Sequence, residues 1–233
     1  TAPSGDERDR TVLVTTTTSA SRLNRYLVWL PLAALSLYWL LAYAGLAPGE
    51  WTWGFLRLTG VIGYALLALS VASGALLAAR FAPPAWLAKP LQYGWHGLTA
   101  GSGLALVGIH VALSLGSAHS TQSLEGVLVR GLATFSPFDM GLGTIGTYLL
   151  LAPYLSFAGR RVLSGRWVKV FHLFAYPGFA AGTLHGMLVG SDRLAWLYLA
   201  GLALVAFTVS VRLAEGRCPR LEAGAHEAAG HRG

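Results

Sequence analysis

"YGWHGLTAGSGLALVGIHVALSL", from Tyr93 to Leu115, is apolar and long enough to cross a bilayer as a helix, yet it carries two histidines, His96 and His110. A second run, "WVKVFHLFAYPGFAAGTLHGMLV" from Trp167 to Val189, carries His172 and His185. A spanning helix needs about 20 mostly apolar residues. Ionisable groups inside it are costly, so they mark functional positions by default. The reading of these two runs decides both the fold and its chemistry.

The rest of the chain agrees with a membrane protein. Hydrophobic residues make up 54% and charged residues only 12% of the 233, against about 25% charged in an ordinary soluble domain. Hydropathy predicts six spans, roughly Tyr26–Leu46, Trp53–Ala79, Leu91–Leu115, Gly141–Phe157, Trp167–Val189 and Leu194–Leu213. The expected fold is therefore all-α, a six-helix transmembrane bundle over residues 26–213. Polar tails at 1–25 and 214–233 are expected to be disordered.

All but Arg57, Arg130 and Arg193 of the 17 Lys and Arg lie in the N-terminal segment, the 80–90 and 158–169 loops or the C-terminal end from Arg212 onward. That asymmetry predicts both termini in the cytoplasm and a multi-pass protein of the cell membrane, in contact with its lipid. The same residues sit between apolar runs rather than along one stripe, which argues against a nucleic-acid interface. No cleavable leader is expected, because the first 25 residues lack a compact apolar core. One cysteine, Cys218, allows no internal disulfide. No nucleophile–base pair, phosphate loop or paired carboxylates appear, so hydrolase chemistry is excluded.

The histidines repay closer reading. In this topology the third and fifth spans run in the same direction, so equal positions lie at equal depth. His96 and His110 are 14 residues apart, His172 and His185 are 13 apart, about 20 Å along a helix in each case. His96 and His172 follow the cytoplasmic ends; His110 and His185 precede the outer ends. Two facing pairs result, one near each leaflet. Facing neutral imidazoles at helix-packing distance suit the axial positions of an iron porphyrin, with the apolar shell tuning its potential.

Gly103 lies seven residues from both His96 and His110, and Gly178 seven before His185. Both are expected to let a porphyrin edge approach the backbone. Fourteen residues keep His96 and His110 on one face within about 40°, whereas 13 leave His172 and His185 about 140° apart on a regular helix. Pro177-Gly178 lies between them, so the fifth span is expected to be distorted there. His119, in the outer loop, reads as a solvated residue, and His226 and His231 lie in the polar tail.

With these residues in view, the chain resembles the ferric reductase-like transmembrane family. That family includes ferric reductases, NADPH oxidases and the haem-binding membrane subunit of methionine sulfoxide reductase systems. The resemblance covers about residues 50 to 190. It rests on the histidine pairs, on "RLTGVIGYALLALSVASGALLAAR" in the second span and on "GRWVKVFHLFAYPGFAAGTLH" in the fifth. It implies two b-type haems with His96 and His172 on the inner iron and His110 and His185 on the outer, and a basic position, matched by Arg57, near the outer haem propionates.

The resemblance further implies an electron-transfer cytochrome b subunit, passing electrons from the cytoplasmic side to an extracytoplasmic acceptor such as a protein, ferric iron or oxygen. About 20 polar residues follow the sixth span, and none resembles the flavin- and NADPH-binding domain of the larger members. A separate electron-donor protein or quinol is thus expected, within a larger complex. Two other readings stay open: a quinol-linked cytochrome b, and a membrane anchor in which haem only stabilises the fold.

Overall fold

The computed structural model describes residues 33, 34, 36, 37, 40, 41, 51–79, 93–116, 122–190 and 194–215. The chain divides into two compact units, residues 1–47 and 48–233. In the first, the described residues are helical, and Leu37, Leu40 and Leu41 are exposed. The proposed tail over 1–25, most of the first span and residues 216–233 lie outside the described residues.

In the second unit the described residues form helices, with no strand among them. In chain order these are α1 (Trp51–Ala78), α2 (Tyr93–Gly116), α3 (Leu124–Leu128), α4 (Pro137–Ala158), α5 (Gly165–Leu173), α6 (Ala175–Val189) and α7 (Ala195–Glu215). Four of them, α1, α2, α4 and α7, are long and apolar enough to cross a membrane.

Two boundaries differ from the hydropathy reading for identifiable reasons. Hydropathy starts the fourth span at Gly141, but α4 begins at Pro137. Ser136 caps it in the left-handed region at φ 40°, Pro137 occupies the first turn, and the Ser136 hydroxyl donates to the Asp139 carboxylate. Proline suits that turn because the helix has no acceptor for its missing N–H there. Hydropathy does not see such signals.

The fifth run is not one helix but two, α5 and α6, of 9 and 15 residues. Neither alone reaches spanning length. Pro177 cannot donate to the carbonyl four residues before it, at Leu173, and α5 ends at that residue. Phe174 closes the break by donating its N–H to Phe171 O at 3.0 Å, a tightened turn. The distortion expected at Pro177-Gly178 thus falls one turn earlier, where the hydrogen bond is lost.

Within the unit, α1 lies along α2 and α7, and α4 along α6. The core joins Tyr64, Leu67, Ala68, Val71 and Ala72 of α1 to Leu150, Phe179, Tyr198 and Val205. Tyr64 stacks on Phe179 with ring centroids 5.3 Å apart. Its hydroxyl donates to Tyr198 O at 2.9 Å and accepts from Thr183 Oγ1 at 3.3 Å. That satisfies a polar atom that would be expensive to bury alone. Leu58, Leu69, Leu155, Leu199 and Phe207 face outward and are exposed.

Candidate functional site

Antiparallel packing of α2 against α1, and of α6 against α4, brings four histidines into two facing pairs. His96 of α2 faces His172 of α5, ring centroids 6.3 Å apart. His110 of α2 faces His185 of α6 at 6.4 Å. These are the two pairs expected from register alone. The break at Phe174 accounts for the second member of each pair, since a continuous helix would turn His172 and His185 about 140° apart.

The separation is chemically specific. Two imidazoles bound on opposite sides of one metal have ring centres about 6 Å apart, from two metal–nitrogen bonds of about 2 Å and two ring radii of about 1 Å. Imidazoles stacked directly on each other would come much closer. The ring planes are inclined by 50° in the His96/His172 pair and 83° in the His110/His185 pair.

Hydrogen bonding then decides which ring nitrogen is available. His110 Nδ1 lies 2.8 Å from Leu56 O, His96 Nδ1 3.0 Å from Ser70 O, and His185 Nδ1 2.9 Å from Asp139 O. A carbonyl only accepts, so Nδ1 carries the proton in all three and Nε2 is left with its lone pair. This is the arrangement that metal-ligating histidines adopt, the backbone holding tautomer and ring orientation. The Ser70 hydroxyl adds a contact to His96 Nδ1 at 3.2 Å.

The donor set narrows the metal. No group of three or more His, Cys, Asp or Glu that could hold a metal ion occurs among the described residues, so each pair offers two nitrogens and no further protein ligand. A tetrahedral centre needs more protein donors than that. A porphyrin supplies four nitrogens of its own and takes two axial imidazoles. The residues fit that group.

The other expected site residues fall differently. A Cβ on Gly103 would meet Leu67 Cγ at 2.8 Å and Gly63 O at 3.3 Å; one on Gly178 would meet Leu149 Cβ at 2.9 Å and Leu150 N at 3.0 Å. Both glycines therefore press against a neighbouring helix. Small residues there let α2 approach α1, and α6 approach α4, closely.

Arg57 is exposed and directly follows Leu56, whose carbonyl holds His110, so it stands at the level of that pair. Phe171 packs within its own segment, on Trp167 and Phe174. Trp95 is exposed. His119, His226 and His231 lie outside the described residues.

One functional candidate escapes a reading of the sequence. Arg212, in the last turn of α7, is half-buried and donates from Nη1 to Tyr176 Oη at 2.7 Å. It lies close enough to His172 for the two to interact electrostatically. Its place near a helix end makes it read as a topology signal, although it falls within the sixth predicted span. Compared with protein-family models, curated proteins and solved structures, the chain matches none of them.

Proposed function

We propose that the chain is a transmembrane electron-transfer cytochrome b subunit holding two b-type haems. The observation that carries this reading is the two pairs of facing imidazoles, at 6.3 and 6.4 Å, with three of the four Nδ1 atoms anchored on backbone carbonyls. His96 and His172 would hold one iron, His110 and His185 the other. When bound, haem supplies a centre that takes and releases one electron.

The protein's own residues do the remainder. The carbonyls of Leu56, Ser70 and Asp139 retain the Nδ1 protons and aim Nε2. In the apolar setting of α1, α2, α4 and α6, a change of charge at each site would be felt strongly. Arg57 and Arg212 provide positive charge for carboxylates at the two levels.

Leu56 and Ser70 are 14 residues apart on α1, about 21 Å. The two sites thus divide a hydrocarbon layer of about 30 Å into short steps. In this reading the six spans place both termini in the cytoplasm. Electrons enter at the His96/His172 pair from a separate protein or quinol and leave at the His110/His185 pair.

The test is haem stoichiometry and redox cycling. Pyridine haemochrome analysis of purified protein is expected to give about two haems per chain, each reducible and reoxidisable, as two bis-imidazole sites require. A folded preparation that neither retains nor takes up haem overturns the reading. Haem that binds but never cycles leaves only the anchoring role.

A further inference from the structure

Three short stretches of α1 and α4 share one pattern: "LRLTG" (56–60), "SVASG" (70–74) and "DMGLG" (139–143). In each, the carbonyl of the first residue receives a histidine Nδ1–H, and the glycine comes four residues later. A Cβ built on Gly60 would stand 2.8 Å from His110 Nδ1; on Gly74, 2.8 Å from His96 Cε1; on Gly143, 2.9 Å from both Cε1 and Nδ1 of His185. The rings occupy the space where a side chain would begin.

Helix geometry explains the spacing of four. The carbonyl of residue i already accepts the N–H of residue i+4, but its oxygen has a second lone pair. Side chains tilt toward the helix N-terminus, so the Cβ at i+4 leans over the carbonyl at i and shields that lone pair. Glycine at i+4 uncovers it. Gly60 and Gly74 are also 14 residues apart, as are His96 and His110 on the antiparallel partner. One helix thus carries two seats at the spacing of the two rings it receives.

We propose that Gly60, Gly74 and Gly143 are positioning residues: notches that seat His110, His96 and His185, hold the Nδ1–H tautomer and aim Nε2. As far as it concerns ligand binding, this rests on the di-haem reading. It differs from the role of Gly103, Gly146 and Gly178, which face neighbouring helices. It differs also from Gly108, whose Cβ would meet nothing within 4 Å.

The experiment compares Gly60→Ala, Gly74→Ala and Gly143→Ala with Gly108→Ala and Gly146→Ala, reading haem content and the low-spin electron paramagnetic resonance signal of each site. Gly60→Ala and Gly143→Ala are expected to change g-values or haem retention at the His110/His185 site only. Gly74→Ala is expected to do so at the His96/His172 site only. Gly146→Ala should lower thermal stability without moving either signal, and Gly108→Ala should change nothing.

A further measurement covers a notch variant that does not fold. With His110→Gly the ring is gone, a methyl group at position 60 has room, and imidazole added to the buffer takes the vacated place. In that background Gly60→Ala is expected to weaken imidazole binding by about fivefold or more, the worth of one hydrogen bond. Wild-type protein without haem defeats the di-haem reading itself. Wild type with two haems, notch variants indistinguishable from Gly108→Ala and equal imidazole affinities overturn the notch assignment alone.

Discussion

At the His110/His185 pair, both rings belong to helices of 15 residues or more, α2 and α6, and both are tied through Nδ1 to a carbonyl on the helix opposite. At the His96/His172 pair only His96 is held that way. His172 is exposed, rides on the nine-residue α5, and has no such bond among the described residues. Arg212, hydrogen-bonded to Tyr176, is within electrostatic reach of it. Similar ring separations are therefore reached by different means. At one pair hydrogen bonds aim both rings; the other has one aimed ring and one placed by the break in its helix. A ligand held by packing and hydrogen bonds keeps its geometry, so the first site should tolerate changes elsewhere in the fold better than the second.

The largest effect breaks the pairs one at a time. His110→Ala or His185→Ala is expected to lower haem content from about two per chain to about one and to leave the His96/His172 signal intact. His96→Ala or His172→Ala does the reverse. Haemochrome analysis with redox titration of each variant is the check; loss of both haems from any one substitution would mean that the sites are not separate.

Next comes the helix break. Pro177→Ala restores the N–H that Leu173 O lacks, removing a proline interior to the run, which costs a helix about 3 kcal/mol. A regularised helix carries His172 away from His96, so the haem at that pair should be mostly lost while the other stays. Thermal stability of the haem-free protein should not fall. Such a pattern, loss of ligand without loss of stability, separates a displaced histidine from a damaged fold.

Charge substitutions are expected to be smaller and to cross over. Arg57→Gln should lower the midpoint potential at the His110/His185 site, and Arg212→Gln that at the His96/His172 site. Removing a positive charge favours the oxidised, more positive iron, by on the order of 1 kcal/mol at this range. Equal shifts at both sites from either variant would remove the assignment of one arginine to each level.

The smallest effect sharpens the comparison. Ser70→Ala removes the hydroxyl beside His96 Nδ1 but keeps the Ser70 carbonyl. The expected loss is under about 1 kcal/mol of haem affinity, one hydrogen bond of two, visible in a competition assay for haem. A larger loss would show that the hydroxyl, not the carbonyl, holds the ring.

Much of this is legible in the sequence because its cause is local or periodic. Four apolar stretches of spanning length need only composition, and the matching of His96 with His172 and His110 with His185 needs only depth along two helices. The notches are not legible, although their glycines are in plain sight. Gly103 and Gly178 stand out for being seven residues from histidines on their own helices. The glycines that touch rings, Gly60, Gly74 and Gly143, are on other helices. Sequence distance along one helix says nothing about which face of another it meets. Arg212 is hidden for a similar reason: its partner Tyr176 is 36 residues away.

By itself, then, the sequence determined the helical class, the apolar character of the long helices, the existence of a break near Pro177 and the spacing of the histidines along the chain. These follow from hydropathy, from a missing N–H and from a rise of about 1.5 Å per residue. The tertiary structure alone decided which carbonyl holds each imidazole, which ring nitrogen remains free, the two inclinations of 50° and 83°, and which glycines lie beneath rings rather than beneath helices. Those depend on the rotation of each helix about its own axis. Rotation is set by close packing between helices, where α1 meets α2 and α4 meets α6, and not by any property of one helix alone.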